Sequence, residues 1–470
     1  MKLHLLLAAA LAFFAHFASA EALNIIYINA DDLGVMDVGF MGNKVYRTPN
    51  LDLLATEGMV FTNAYAPSAN CAPSRAACLS GQASPRTGVY TVGSSERGDA
   101  KTRRLVPVAN KDFLPEGVKT IADELKASGY LTCQMGKWHV GEDPTQQGID
   151  INVAGSSAGH PKTYFSPYKM KYLEDGEKGE YLTDRLTDEA IQFLSEHGKA
   201  EKPFFLYMPY YAVHTPLQGK PELTKAYEGI EGVKPDYAAM IETLDGNIGR
   251  LLGHVKELGL EERTLVVFSS DNGGIRGVSR QDPWRAGKGS YYEGGVRVPL
   301  IVRMPGIEAG SRCEVPVSGL DLFPTFLHVA AGKPVERDLM DGNDLHPLLL
   351  GKDDFPERAL YWHFPIYLQK YGKEDDSRDP LYRTRPGSAM RVGKWKLHEY
   401  FEDGAFELYD LEADPGERNN LAASHPEKLA ELRKMLSGWR EEIGAPVPDE
   451  PNPKFDANAE KKALSKMGAP

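Results

Sequence analysis

The chain has 470 residues and a formal net charge of −12 at pH 7. That balance argues against nucleic acid or an anionic membrane as a partner held by bulk electrostatics, and leaves room for a small anionic substrate gripped by a few inward-facing cations. Hydrophobic residues make up 42% and charged residues 26%, the proportions of an ordinary globular protein, and the length points to one large domain with a smaller companion.

Residues 1–20 place Lys2 ahead of an apolar run that closes on Ala18-Ser19-Ala20, the small-x-small pattern of a signal-peptidase site. The run is short for a membrane anchor and no other stretch is long and apolar enough to span a bilayer. The expectation is a cleaved signal peptide and an exported, periplasmic or secreted protein. Leu23-Asn24-Ile25-Ile26-Tyr27-Ile28 then runs into Asn29-Ala30-Asp31-Asp32. Such continuous apolar runs, ending in polar clusters, are what buried strands of a parallel sheet look like. Asp31 and Asp32 read either as a helix cap with a first-turn acid or as half of a hard-cation site, since adjacent carboxylates repel unless a divalent ion compensates them. Next comes Asn70-Cys71-Ala72-Pro73-Ser74-Arg75, with Cys78 seven residues after Cys71. That spacing matches no usual zinc pattern, and with Cys133 and Cys313 two disulfides are arithmetically possible in an oxidising compartment.

Val118, Ile121 and Leu125 recur at helical spacing before Gly129, and the strand-like Tyr130-Leu131-Thr132-Cys133-Gln134-Met135 leads into Gly136-Lys137-Trp138-His139. His160 lies in a Gly/Ser loop long enough to reach over a cleft. Phe204-Phe205-Leu206-Tyr207-Met208 precedes Val213-His214-Thr215-Pro216, and a helical pattern follows at Tyr237, Met240, Ile241, Leu244, Ile248 and Leu251. Leu265-Val266-Val267-Phe268 leads into Ser269-Ser270-Asp271-Asn272-Gly273-Gly274, and Lys288 sits in a glycine-rich loop beyond. Strands alternating with helices predict an α/β sheet covered on both faces, with ligands bound beyond the carboxyl ends of its strands. Taken singly, each of these lysines and histidines reads as a satisfied surface or core residue. Taken together, Asp31, Asp32, Asp271 and Asn272 offer oxygen ligands suited to Ca²⁺ or Mg²⁺ and not zinc. Arg75, Lys137, His139, His214 and Lys288 are equipment for gripping a tetrahedral oxyanion and protonating a leaving group. That combination points to hydrolysis of an anionic ester, with phosphate still open.

After about residue 355 the texture changes. Ala389-Met390-Arg391-Val392, Trp395-Lys396-Leu397-His398 and Phe406-Glu407-Leu408-Tyr409-Asp410 are short strands separated by turns, and Leu429, Leu432, Met435 and Leu436 mark a helix packed on them. A polar, proline-containing tail from about Pro448 is expected to be loosely held.

Cys71-Ala72-Pro73-Ser74-Arg75, followed by Gly81, resembles the signature of the type I sulfatases, in which the cysteine is oxidised after translation to formylglycine. The likeness extends through Asp31-Asp32, Gly129-Tyr130-Leu131-Thr132 to Gly136-Lys137-Trp138-His139, His214, Asp271-Asn272-Gly273-Gly274, Lys288 and Glu407-Leu408-Tyr409-Asp410-Leu411. Cys78 stands where the family usually has leucine and Ser80 where it has threonine. The resemblance implies an alkaline-phosphatase-like α/β fold: a large, mostly parallel sheet between helices over residues 21–355, a C-terminal α+β subdomain over 356–450, and the polar tail at 451–470. It implies that a maturation enzyme converts Cys71 to formylglycine, and that Asp31, Asp32, Asp271 and Asn272, with residue 71, hold Ca²⁺, Mg²⁺ being the alternative. Arg75 and Lys137 would stabilise the aldehyde hydrate, Asp271 would take its proton, and His139 would assist its collapse. His214 would protonate the leaving alcohol, with Lys288 bridging sulfate and leaving-group oxygens. Cys78 then reads as a small apolar packing residue, with pairing to Cys133 or Cys313 left open.

The substrate is expected to be a sulfated saccharide attacked from its end. His160, Trp362, His363, Arg383 and Arg385, with Tyr367 and Arg391, supply aromatics and cations suited to stacking on sugar rings and pairing with acidic groups. Each of them also reads as packing or a salt bridge. Two rival functions stand beside this one: a phosphonate monoester or phosphodiester hydrolase of the same superfamily, and a binding protein for sulfated glycans with a dead site.

Overall fold

A computed structural model describes residues 22–352, 354–372 and 375–467, so the expected signal peptide lies outside the described residues. An eight-stranded sheet runs in the order Ile151–Val153, Leu131–Met135, Phe204–Pro209, Asn24–Ala30, Thr264–Ser270, Leu300–Arg303, Met59–Phe61 and Ser311–Cys313. The first five strands are mutually parallel, and Leu300–Arg303 is antiparallel to both of its neighbours. Ile25 pairs in register with Phe205 and Leu265, and Ile26 with Leu206 and Val266. Alternate residues therefore face opposite layers. Ile26, Ile28, Leu206 and Phe268 pack with Leu186, Leu194, Ile241 and Leu244 of the helices Leu182–His197 and Pro235–Glu257. Ile25, Tyr27, Phe205 and Val267 pack with Ile121, Leu125, Phe323 and Phe326 of the helices Ile121–Ala127 and Leu322–Ala331. Burial on both faces is why these strands read as unbroken apolar runs.

The C-terminal part is a four-stranded antiparallel sheet in the order Ala359–Phe364, Gly387–Val392, Trp395–Tyr400, Phe406–Asp410. Gly393, at φ +53, makes the tight turn between the second and third of these strands. Leu432 and Leu436 of the helix Pro426–Ile443 pack on Met390, Leu397 and Leu408. The subdomain is joined to the segment beyond Lys288 by buried charge. The Glu293 carboxylate takes Lys396 Nζ at 2.8 Å and Arg297 Nη1 at 3.0 Å, while Glu417 takes Lys396 at 3.2 Å and His398 Nε2 at 2.9 Å. Burial works to raise the Glu293 carboxyl, but Lys396, Arg297 and Arg391 outweigh it and hold it down to about 2.

One expectation is corrected here and one open question closed. The tail is not loosely held: Ala457–Lys466 is a helix whose Glu460 reaches back to Arg104 at 2.8 Å and Arg385 at 3.5 Å, and the Asp456 side chain caps its first turn. The pairing left open for Cys78 is absent as well. All four cysteines are free, and burial pushes the Cys78 thiol up to about 12, as befits a packing residue.

Candidate active site

Two parallel neighbours, Asn24–Ala30 and Thr264–Ser270, deliver Asp31-Asp32 and Asp271-Asn272 side by side at their carboxyl ends, and the Asp271 amide donates to Ala30 O at 3.1 Å. Asp32 takes a left-handed turn, φ 62, which a short polar side chain tolerates. Two strands out from Asn24–Ala30, Leu131–Met135 must turn sharply to present Lys137. Gly136, at φ +127, permits the turn, because a Cβ there would sit 2.1 Å from Pro209 O. Lys137 N then donates to that same carbonyl at 2.7 Å. His214 arrives from the loop after Phe204–Pro209, which is tied to Asp31 by mutual backbone bonds with Ala212 and Val213. Cys71 is the first residue of the helix Cys71–Ser80, a terminus whose free amides favour negative charge. Arg75 lies one turn further on.

These side chains converge. Arg75 is fully buried; its Nε and Nη2 lie 2.9 and 2.8 Å from Asp271 Oδ2, and Nη1 donates to Lys137 O at 3.1 Å. Lys137 Nζ bonds Asp31 Oδ2 at 2.7 Å, Lys288 Nζ lies 2.6 Å from Asp32 Oδ1, and His214 Nε2 stands 3.6 Å from Asp32 Oδ2. Three carboxylates thus face three cations in a region almost without solvent. Burial raises the Asp31 carboxyl well above the usual range, and Lys137 only partly offsets it. Burial acts the same way on Asp32 and Asp271, but Lys288 prevails at the first and Arg75 at the second, and both stay below the usual range. Asp32 in turn holds the Lys288 ammonium well above the usual lysine value against the burial that would lower it. The histidines go the other way. Burial, reinforced by Lys137 and Arg75, keeps His139 neutral, and burial pushes His214 down to about 3 despite Asp32.

Two buried oxygens in the cluster, Asp31 Oδ1 and Asn272 Oδ1, have no hydrogen-bond partner, and neither does His139 Nδ1. Orphaned acceptor oxygens among adjacent carboxylates are what a hard divalent cation satisfies. Asp31, Asp32 and His214 each bring a possible ligand atom within 4.8 Å of the others. The donor set therefore fits a metal of the calcium or magnesium type.

The sequence-based catalytic and metal-binding residues, Asp31, Asp32, Cys71, Arg75, Lys137, His139, His214, Asp271, Asn272 and Lys288, thus share one location. The residues expected to hold substrate mostly do not face it. His160 does: it is exposed, and its ring lies parallel to that of His214, centroids 5.7 Å apart. Trp362 is buried, its Nε1 donating to Ala66 O at 2.9 Å, and His363 is spent between Ser388 Oγ and Pro446 O, both at 2.8 Å. Arg385 is enclosed by Asp379, Glu402 and Glu460. Tyr367 donates to Glu402, and Arg391 to Tyr65 and Asn63. These five hold the subdomain together, because at a domain junction the same aromatics and cations that bind sugars also satisfy buried polar groups. Arg383 is buried too, with Nη1 on Lys288 O at 2.9 Å. Sequence reasoning passed over the ring lying on it, Tyr371, half exposed in a polar loop with no periodic signal.

Comparison with known proteins follows the same lines. The family model described as "Sulfatase" matches residues 23–333, and that described as "N-sulphoglucosamine sulphohydrolase, C-terminal" matches residues 286–442. A "Sulfatase" of Formosa agariphila is 32% identical, covering 90% of this chain and 90% of its own length. "Arylsulfatase A" of Homo sapiens is 31% identical over 90% of this chain and 89% of its own. Among solved structures, Ps i-CgsB in complex with k-i-k-neocarrahexaose superposes with a TM-score of 0.74 at 30% identity, covering 96% of this chain and 98% of that one.

Proposed function

The chain belongs to the sulfatase family and is a sulfuric ester hydrolase, and from that premise we propose that it removes sulfate from a sulfated saccharide. The observation that carries the chemistry is the buried cluster of three carboxylates and three cations around the start of the Cys71 helix, with two acceptor oxygens left unpaired. The saccharide is supported by the carrahexaose bound to Ps i-CgsB and by the description of the C-terminal family model.

Asp31, Asp32, Asp271 and Asn272 would hold a calcium ion, which supplies charge neutralisation for the sulfate and acidifies a hydroxyl beside it. Oxidation of Cys71 to formylglycine by a maturation enzyme would supply a carbon able to carry two hydroxyls, one to attack sulfur and one to drive sulfate release by carbon–oxygen cleavage. The remaining work falls to the chain's own side chains. Asp271, kept ionised by Arg75, accepts the proton of the attacking hydroxyl. Arg75 and Lys137 fix the carboxylates around residue 71. His139, neutral and with Nδ1 free, is ready to accept the proton of the second hydroxyl. Lys288 carries a proton at neutral pH and lies against Asp32, where it pairs with the incoming anion. His214 rests neutral, so its role as acid to the leaving alcohol requires that the entering sulfate, itself negative, draw a proton onto the imidazole.

A sulfate monoester brings one negative charge to this balanced cluster, whereas a phosphate monoester brings two. A phosphonate monoester or phosphodiester matches the single charge, so a direct comparison is needed. Sulfate and phosphonate release from matched aryl esters, followed by a panel of sulfated mono- and disaccharides, tests the proposal. Faster phosphonate turnover refutes the sulfatase chemistry, and failure on every saccharide refutes the substrate class. The amino-terminal run of residues 1–20 supports export, which fractionation of cells for a mature chain beginning near Glu21 checks.

A further inference from the structure

Arg383 leads from the sulfate to the group that carries it. Its guanidinium is committed on two edges: Nη1 donates to the carbonyl of Lys288 at 2.9 Å and Nε to Gln369 O at 2.9 Å. It is therefore fixed directly behind the lysine that faces the sulfate. Over its face lies the ring of Tyr371, with the guanidinium carbon 3.5 Å from the ring centroid. The tyrosine is held from its backbone as well, its amide donating to the buried Asp375 Oδ2 at 2.7 Å. Yet the residue is 54% exposed, one of the few large hydrophobic residues left open among the described residues.

A ring pinned on one face and open on the other, at the rim of an anion site, is a preorganised stacking surface: the entropy of ordering it is spent before the ligand arrives. The ligand chemistry that matches is a pyranose, whose axial C–H groups form an apolar face while its hydroxyls stay in water. Resting on the saccharide reading above, we propose that Tyr371, backed by Arg383, is the platform on which the sugar ring bearing the sulfate stacks. The sulfate itself is then directed toward Lys288 and residue 71.

The test measures sulfate release from a sulfated mono- or disaccharide by wild type, Tyr371→Phe and Tyr371→Ala, together with inhibition by inorganic sulfate, which needs the anion pocket and no platform. Loss of the ring is expected to lower kcat/KM on the saccharide about 10- to 100-fold, chiefly through KM. The phenylalanine variant should stay within about 3-fold of wild type, with inhibition by inorganic sulfate unchanged in both. Several results overturn the inference. One is an alanine variant with undiminished kcat/KM. A second is a phenylalanine variant as impaired as alanine, which makes the contact a hydroxyl bond. A third is weakened sulfate inhibition, which means that Tyr371 acts only by propping Arg383 and Lys288. A wild-type enzyme that turns over aryl sulfates and no saccharide removes the premise instead, and is recognised before any variant is made.

Discussion

Replacing Arg75 with alanine tests the electrostatic construction of the site. The guanidinium is fully buried, donates from Nε to Asp271 Oδ2 at 2.9 Å, holds Nη2 in ion-pair contact with the same oxygen at 2.8 Å, and lies 3.9 Å from Asp31 Oδ1. Without it, Asp271 shares a solvent-free space with Asp31 and Asp32, and only Lys137 and Lys288 remain to balance three carboxylates. Breaking a buried pair from one side costs about 3–5 kcal/mol. For a chain of this length the entropy of unfolding is roughly 1 kcal/mol per degree, so the apparent Tm in EDTA should fall by about 3–5 °C. Saturating calcium should narrow the deficit relative to wild type, because a dication beside Asp271 replaces the missing positive charge and so stabilises the variant more than it stabilises wild type. Arg75→Lys should fall between wild type and alanine, keeping the charge and losing the fork. Scanning calorimetry or fluorescence-detected melting with and without calcium reads all of this. A drop below about 1 °C in EDTA, or a deficit identical with and without calcium, would refute the reasoning.

Other consequences are equally open to measurement. Removing metal with EDTA should abolish sulfate release and lower the Tm of wild type, with calcium restoring both; full activity after chelation speaks against a metal at Asp31, Asp32, Asp271 and Asn272. His214→Ala should slow esters of poor leaving groups by about 100-fold or more and aryl sulfates far less, since general-acid help matters most for a basic alkoxide; equal losses on both would remove it as the acid. The depressed Glu293 carboxyl stabilises the fold fully above the unfolded value of about 4.3, and that contribution, roughly 3 kcal/mol, is lost as pH falls from there through about 2. Urea midpoints taken between pH 5 and pH 2.5 should therefore fall less steeply for Glu293→Gln than for wild type. Deleting residues 457–470 takes Glu460 from Arg104 and Arg385 and should lower the Tm by about 1–3 °C; an unchanged Tm would mean that the helix adds nothing.

What could be read from the sequence followed from burial. Strands covered on both faces leave unbroken apolar runs, and the polar residues directly after them, Asp31-Asp32 and Asp271-Asn272, had to stand at strand ends whatever the strand order. Gly136 and Lys137 were legible for the same reason. The C-terminal strands and the helix bearing Leu432 and Leu436 showed their periods clearly. Illegible were features that depend on which distant segments meet. Glu293 and Lys396 are 103 residues apart and carry no local mark of partnership, so the charge latch between the C-terminal sheet and the segment beyond Lys288 was invisible. Trp362, His363 and Arg385 have the chemistry of a sugar site and the position of a domain junction, and only packing decides between the two. Tyr371 failed in the opposite sense, as an ordinary loop tyrosine until Arg383 is seen beneath it. The tail misled because its polar residues include Glu460, whose value lies in two arginines far upstream.

The central claim is that residue 71 of the working enzyme is no longer a cysteine. Mass spectrometry of the peptide spanning Asn70 to Arg75 from purified, active protein measures this directly. The account predicts an aldehyde or its hydrate at position 71, in a fraction that rises and falls with specific activity across preparations and is absent from a Cys71→Ala variant. Protein that releases sulfate at full rate while position 71 carries only a free thiol would contradict it.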